Sequence, residues 1–410
     1  MSSDFIVGLD IGTSSIKVAV AENRGGRPVV HAVFKEPSAG LRKGAIADLA
    51  EASSGVARAI HQAKNISKSA IKNIYVNIGT TQMNVQHSRG IVAVSRADSE
   101  IYRDDIDRAV KASQAVNIAQ NRMIVHYVAQ EYVVDGVSDI IDPLGLSGSR
   151  LEVNGLIIDA FTPHVKGLIR IIELAGGRVG GLVLTPLAAS RSALSKTQKD
   201  LGVVLIDIGY GTTGVSVYEE NKLAGVAVFP VGAGNITKDL AVALKIPVPA
   251  AEQLKLNCGY ALAKEMNPRE TVNIEKFSPE SAGTVSRRYV AEIMEARLAE
   301  IFEFVNNELK VMGKAGQLAG GAVVVGGGAK LPGITELVKQ ELKITSQIGL
   351  AIADEWATSP AAFPEVFEDP EYVNALGLVL WGADQEGWRA KEGGFPSYFK
   401  PKNILRYFLP

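Results

Sequence analysis

The chain has 410 residues, 47% hydrophobic and 21% charged, which is room for about two to three domains with sizeable cores. With 43 Lys and Arg against 44 Asp and Glu the formal net charge is −1, so no global attraction to nucleic acid or to a membrane is expected and any such contact is local. The single cysteine, Cys258, excludes an internal disulfide and suits a reducing compartment, where a lone Cys is ordinarily a small buried residue. The start, "MSSDFIVGLD", lacks the basic and apolar regions of a secretory leader, and no apolar run of about 18 residues predicts a spanning helix. The expected location is cytoplasmic.

"DFIVGLDIG", "SIKVAVAE" and "PVVHAVFKE" are short β-rich runs separated by Gly-containing turns, which predicts an antiparallel meander. Ile46, Leu49, Val56 and Ile60 recur at roughly helical spacing and predict a helix within 45–65. "IKNIYVNIG" (71–79) reads as a strand. Residues 80–165 are less regular, with a helix near 104–115 and strands at "RMIVHYVAQEYVV" and "RLEVNGLIIDAFT". "VKGLIRIIELAGG" predicts a helix ending at the Gly176–Gly177 stop, and "VGGLVLTP" returns as a strand.

Then the beginning recurs. "GVVLIDIGYGTTGVSVYEENKLAGVAVFPVG" repeats the strand, Gly/hydroxyl turn, strand, turn, strand order of "FIVGLDIGTSSIKVAVAENRGGRPVVHAVF", matching Asp207 to Asp10 and Gly209 to Gly12. The offset of about 200 residues exceeds solenoid periods of roughly 20–50 and points to duplication of a whole domain. Helices follow near 236–244, 249–264 and 287–312, the last with one stripe of Val290, Met294, Leu298, Ile301, Val305, Leu309 and Met312. "GGAVVVGGGAKLPGI" is a strand entering a glycine loop and a helix, and "DPEYVNALGLVLWGADQE" predicts a closing helix. Beyond Gly393 the chain turns irregular and aromatic.

The repeated turns carry the chemistry. Glycines let a backbone approach a phosphate, consecutive N–H groups form an anion nest, and Ser or Thr hydroxyls add donors. An aspartate at the adjoining strand end suits Mg²⁺, which keeps its waters and takes few protein ligands. One glycine-rich hairpin with an Asp is ordinarily just a turn. Two at the same place in a duplicated meander favour a pair of phosphate clamps facing each other across a cleft. Gly326, Gly327 and Gly328, weak alone, fit a loop passing under a nucleoside. Competing motifs fail: there is no G-x-x-x-x-G-K-[ST], no nucleophile elbow and no His/Cys cluster for a metal. "GAGNIT" (232–237) lacks the third glycine of a dinucleotide fingerprint and follows a meander.

These three elements resemble the phosphate-1, phosphate-2 and adenosine motifs of the actin, Hsp70 and sugar-kinase superfamily, at Asp10–Lys17, Asp207–Thr213 and Gly326–Gly328. "HYVAQEYVVDGVSDIIDPLGLSGSRLEV" (126–153) is similar to the insertion specific to the FtsA family of bacterial division proteins, with Gln130–Tyr132 and Asp142–Gly148 standing for its "QEY" strand and "NPxGLSG" turn. "AEIMEARLAEIFEFVNNEL", "PVGAGNITKDLA" and "AAEQLKLNCGYAL" match that family in order and spacing, so the resemblance covers nearly all of 5–385.

The resemblance implies an α/β, actin-like, two-lobed fold with an RNase-H-like mixed sheet in each lobe. Residues 1–80 and 166–198 would form the first lobe and 81–165 the inserted subdomain. Residues 199–390 would form the second lobe, with 231–318 as its helical, partner-binding part, and 391–410 a tail. It implies an ATP-binding protein that polymerises on the inner face of the membrane at the division site, tethers FtsZ there and meets other division proteins. Asp10 and Asp207 would position Mg²⁺ through water. Gly12, Thr13, Ser14, Gly209, Gly211, Thr212 and Thr213 would hold phosphates; Gly232, Gly234 and Asn235 would approach the ribose side; Glu252 and Lys255 would flank the nucleoside. Lys17 carries over as a phosphate ligand, although its alternation with Ile16 and Val18 equally permits it to point to solvent. Arg297 matches the arginine that receives the acidic tail of FtsZ, with Arg287 and Arg288 extending the patch; the alternative is a solvated face with Glu292, Glu295 and Glu300 as helix-spaced partners.

Departures from the family pattern are informative. Gly214 stands where many superfamily members have aspartate, Tyr210 sits between the phosphate glycines, and Ala296 replaces a common proline. No residue is a clear general base, so weak hydrolysis is expected. The family usually ends in an amphipathic helix after a long linker. Here Phe399, Ile404, Leu405, Tyr407, Phe408 and Leu409 with Lys400, Lys402 and Arg406 form a short segment limited by Pro396, Pro401 and Pro410. That composition suits anionic lipid, with avidity in a polymer offsetting weak single contacts; the alternative is a tail packed on its own domain. Two other functions share the phosphate turns: a scaffold of pilus assembly, and a sugar or acid kinase, which the 126–153 block argues against.

Overall fold

A computed structural model describes residues 5–281, 283–358 and 362–388; the tail segment 391–410 with its candidate lipid-facing residues lies outside them. The first lobe opens with strands β1 (Phe5–Ile11), β2 (Ser15–Arg24) and β3 (Arg27–Pro37). Helix α1 (Leu49–Ile66) follows, begun by Asp48, whose carboxylate accepts from the N–H groups of Ala50 and Glu51. Next come β4 (Ile74–Ile78), β5 (Met83–Ala93), α2 (Arg103–Gln114), β6 (Arg122–Val134), β7 (Val137–Ile140) and β8 (Arg150–Phe161). Helix α3 (Thr162–Leu174), β9 (Val179–Leu184) and α4 (Thr185–Ala193) lead to the repeat. The second lobe holds β10 (Val203–Ile208), β11 (Thr213–Glu219), β12 (Lys222–Phe229), α5 (Ala233–Leu244), α6 (Val248–Cys258) and α7 (Arg287–Val311). It ends with β13 (Ala322–Val325), α8 (Ile334–Leu342) and β14 (Ser346–Ile348), and α9 (Val373–Gln385) is the last helix described.

The duplication read from sequence is a duplicated sheet. The first has the order β9-β4-β1-β2-β3 and the second β12-β11-β10-β13-β14. In both, the aspartate-bearing strand pairs antiparallel with the next strand and parallel with a later one. That central placement explains why β1 and β10 are almost wholly buried runs and do not alternate. Residues 83–161 form a separate four-stranded antiparallel sheet, β5-β8-β6-β7, backed by α2. It braces the second lobe: Gln130 Nε2 donates to Leu223 O at 2.9 Å, and Lys222 pairs with Asp139.

Two cores sit on the two faces of the second sheet. One runs through the first lobe and takes in Leu205, Tyr218 and Val325 from the near face of the second. The other joins the far face to α5, α6, α7 and α8, and the stripe of α7 supplies Val290, Met294, Leu298, Ile301, Val305 and Leu309, each at most 1% exposed.

Three sequence expectations shift. Helix α6 ends at Cys258, short of 264, because Gly259 caps it with an N–H to Lys255 O and the chain turns to pair Ala261 with Pro332 O. Helix α4 went unseen, since all its residues but Thr185 are buried and it has no polar stripe to give it a period. Helix α9, grouped above with the second lobe, lies instead on β1 and α4 of the first. It comes so close that a Cβ at Gly8 would lie 2.1 Å from Ala375 O, and one at Gly377 1.9 Å from Ala188 O. Gly377→Val should therefore cost about 3 kcal/mol or more by overpacking, read as a lower thermal midpoint; an unchanged midpoint would show that this contact does not seat α9.

Candidate functional site

The two repeated turns have one geometry. Between β1 and β2 the N–H of Gly12 donates to Ser15 O at 3.1 Å; between β10 and β11 that of Gly209 donates to Thr212 O at 2.9 Å. They meet across the lobes: a Cβ on Gly211 would sit 2.7 Å from Thr13 Oγ1. Above them opens a cavity of about 680 Å³.

Asp10 and Asp207, each one residue before the end of its strand, form part of its wall and are 4% and 6% exposed. Asn77 Nδ2 donates to Asp10 Oδ1 at 2.8 Å, and Asn374 Nδ2 donates to Asp207 Oδ2 at 2.8 Å. Lys17 points into the cleft, its ammonium 3.6 Å from Asp10 Oδ2, which decides between the two directions that sequence left open. Burial pushes the Asp207 carboxyl up to about 6; the Asn374 bond opposes that and the Asp10 charge adds to it. Burial raises Asp10 as well, against the pull of Lys17.

This donor set fits a hydrated divalent ion. The described residues contain no cluster of three or more acidic, His or Cys side chains that would grip a bare metal. Two buried carboxylates remain undercompensated, and buried Asn374 Oδ1 has no hydrogen-bond partner among the described residues although the residue lines the cavity. Waters of a Mg²⁺ shell are the donors such acceptors need.

The apolar part of the lining comes from Ile236, Leu256, Leu298, Leu331 and Pro332. Gly326 turns with φ +82°, and a Cβ there would strike Asp207 Oδ1 at 2.3 Å, so only glycine brings this loop against the aspartate. Gly327 and Gly328 also line the cavity. Glu252 and Lys255 enter from α6, paired at 2.8 Å, and Lys255 donates to Thr237 Oγ1 at 2.9 Å and lies 5.6 Å from the Tyr210 ring centre. Burial lowers the Lys255 pKa, against the hydrogen bond to Glu252.

Asp10, Gly12, Thr13, Ser14, Lys17, Asp207, Gly209, Gly211, Thr212, Glu252, Lys255 and Gly326–Gly328 are thus gathered on one cavity. Thr213, Gly232, Gly234 and Asn235 are not among the residues that line it. The Thr213 hydroxyl donates to Val231 O at 2.8 Å, and Asn235 Oδ1 accepts from the Gly232 N–H at 3.2 Å. Gly232 and Gly234 are small because the start of α5 abuts the turn: a Cβ on Gly234 would be 2.6 Å from the Tyr210 ring. Sequence reasoning missed Asn77, Thr185, Lys35, Lys330, Glu371 and Asn374. Asn77 and Asn374 left a signal, each a lone amide within an apolar run.

The three arginines form no single patch. Arg297 grips Asp239 at 2.6 and 3.0 Å and also pairs with Glu300. Arg287 binds Glu270 at 2.7 Å and Arg288 lies 3.4 Å from Glu292. At roughly 100° per residue, the nine-residue step from Arg288 to Arg297 puts them on opposite sides of α7.

The family model "Cell division protein FtsA" matches residues 204–377, and "SHS2 domain inserted in FTSA" matches 80–159. Cell division protein FtsA of Bacillus subtilis is 33% identical over 96% of this chain and 87% of its own length. The chain belongs to the FtsA family. The FtsA of Borreliella burgdorferi is 34% identical over 94% of this chain and 92% of its own, and that of Escherichia coli 29% over 92% and 90%. Among solved structures, a PilM-PilN type IV pilus biogenesis complex aligns with TM-score 0.66 at 17% identity, over 92% of this chain and 98% of that one. MreB 5 of Spiroplasma citri bound to AMPPNP aligns at 0.53 and 14%, over 94% and 96%. At those identities the likeness is one of fold: FtsA-type and actin-like.

The raised acids give a pH dependence. An acid whose folded pKa lies above its unfolded value contributes stability at low pH, and that contribution is lost as pH rises through the folded pKa, here between about 4 and 6. In protein free of Mg²⁺ and nucleotide, Asp207→Asn should therefore gain roughly 1–3 kcal/mol at pH 7.5 and less at pH 5. Thermal melts at both pH values test this; an equal or negative change at pH 7.5 would show that the carboxylate is not held at a cost.

Proposed function

We propose that this FtsA-family division protein binds ATP with Mg²⁺ in the interlobe cleft, self-associates into filaments and tethers FtsZ to the inner face of the cytoplasmic membrane at the division site. The observation that carries the nucleotide part is the meeting of two equivalently closed Gly/hydroxyl turns beside a cavity with two undercompensated aspartates. In that cleft the N–H groups of Thr13, Ser14 and Tyr210–Thr212 and the hydroxyls of Thr13, Ser14 and Thr212 hold phosphates, while the N–H groups of Gly12 and Gly209 close the turns. Lys17 supplies positive charge, Asp10 and Asp207 hold Mg²⁺ through its waters, and the apolar part of the lining takes the base. Bound Mg²⁺ would neutralise phosphate charge.

Hydrolysis is weak on this reading. Gly214 is the register partner of Asp207 and offers no carboxylate where the superfamily often has one. ATP acts chiefly by joining the lobes, stabilising the state that binds it. Micromolar ATP binding with negligible turnover is the expected result, and fast turnover would overturn the structural role.

The FtsZ contact is proposed on α7 at Arg297, within the helical part at 231–318. Its side chain is 25% exposed and already chelated by Asp239, so an acidic tail would replace a carboxylate in place and need no new pocket. Arg297→Glu should abolish binding of an FtsZ C-terminal peptide, while Arg288→Glu, on the opposite side of the helix, should change it little. Unchanged binding by Arg297→Glu sinks the assignment. No helix among the described residues is long and apolar enough to cross a membrane. Membrane attachment is therefore proposed for the segment 395–410, to be judged by liposome sedimentation with and without it; equal sedimentation of both would remove the membrane role.

A further inference from the structure

The mouth of the cleft holds an arrangement that the phosphate turns do not account for. Lys17 on β2 and Lys35 on β3 are directly opposed register partners on antiparallel strands, and both line the cavity. Like charges so placed repel. A third cation, Lys330, lines the cavity from the glycine turn of the second lobe. Among the three lies Glu371. Its Oε1 is 2.7 Å from Lys35 Nζ and 3.5 Å from Lys17 Nζ, and its Oε2 is 3.5 Å from Lys330 Nζ. The carboxylate is only 14% exposed, so this is not an ordinary surface pair. Burial alone would raise its pKa; the three ammonium groups more than reverse that and hold it below the usual range.

The backbone around Glu371 is tied to the second lobe. Gly326 N–H donates to Pro370 O at 3.0 Å, Lys330 binds Asp369 at 2.7 Å, and Asn374 binds Asp207. The carboxylate itself reaches the lysines of the first lobe. Glu371 is thus the anion that all three lysines share, with Asp10 beside Lys17 and Asp369 on Lys330.

We propose that Glu371 is an internal substitute for phosphate, holding the place of a nucleotide's terminal phosphates among Lys17, Lys35 and Lys330 and yielding it when a triphosphate enters. The inference rests on the nucleotide reading of the cleft. Ammonium groups bind carboxylate and phosphate oxygens as point charges, without the planar fork that would discriminate between them. A phosphate arriving beside Glu371, with Asp10, Asp207 and Asp369 nearby, meets a site already rich in negative charge, so the movable carboxylate gives way. Displacement then requires a ligand that carries enough charge. Because the place it holds is that of the terminal phosphates, Glu371 weakens triphosphate binding more than diphosphate binding and is indifferent to the nucleoside. Releasing it also removes a tie between the lobes at the entry to α9.

The test is the affinity of the full chain and of Glu371→Gln for ATP, ADP and adenosine in Mg²⁺ buffer, by calorimetry. Glu371→Gln should bind ATP about tenfold tighter, ADP by a smaller factor, and adenosine unchanged. ATP affinity equal to or weaker than that of the parent chain would overturn the proposal, since Glu371 would then only orient the lysines. If neither protein binds ATP or adenosine, the nucleotide reading itself fails and the proposal with it. Should Glu371→Gln melt far below the parent, Glu371→Asp replaces it. That carboxylate is one methylene too short to span Lys35 and Lys330, and it should tighten ATP binding severalfold; no tightening overturns the proposal.

Discussion

Asp10 and Asp207 are buried acids at the ends of the central strands of two sheets, and each has one amide donor and too little compensating charge. Most of the site can be understood as a response to that constraint. Each strand ends one residue after its aspartate, in a glycine turn whose residues line the cavity. Gly326 must be glycine because its loop presses on Asp207. Asn77 and Asn374 come from distant parts of the chain to give each acid its amide. Burying an uncompensated carboxylate is costly, and it is tolerated where a ligand restores the missing charge.

The duplication and the phosphate turns were legible in the sequence because they are local: an acid inside a β-branched run, then glycines and hydroxyls, written twice. The stripe of α7 was legible because one face is buried and the other is not. Helix α4 was not, since burial on all sides erases periodicity. The side chains from distant positions were hardest. Lys35, Lys330 and Glu371 look like ordinary surface charges, and only the fold brings residues 35, 330 and 371 together. Gly232 and Gly234 have a second reason that only the fold shows: glycine there lets the start of α5 abut the 209–212 turn and the Tyr210 ring.

The lobes are joined by polar contacts at several places, among them α4 against β11, where Ser190 bonds Tyr218 and Ser216 donates to Pro186 O. On one side the inserted sheet holds the edge of the second lobe through Gln130 and Asp139; at the cleft, Asp369, Glu371 and Asn374 span the gap. Gln130 belongs to the family-specific block, so the residues that distinguish this family from other actin-like proteins include one that fixes how its lobes sit.

The packing of α9 on β1 has a consequence for the order of assembly. The first strand of the protein is covered by residues that are translated more than 360 positions later, through Gly8 against Ala375. During synthesis the N-terminal sheet must wait with its central strand bare on that face while the inserted subdomain and nearly all of the second lobe emerge. Asn374, the amide donor of Asp207, arrives on the same helix. The nascent chain therefore acquires its finished first core and its finished cleft in a single late event, and until then an apolar strand face is left for a chaperone or for aggregation to find.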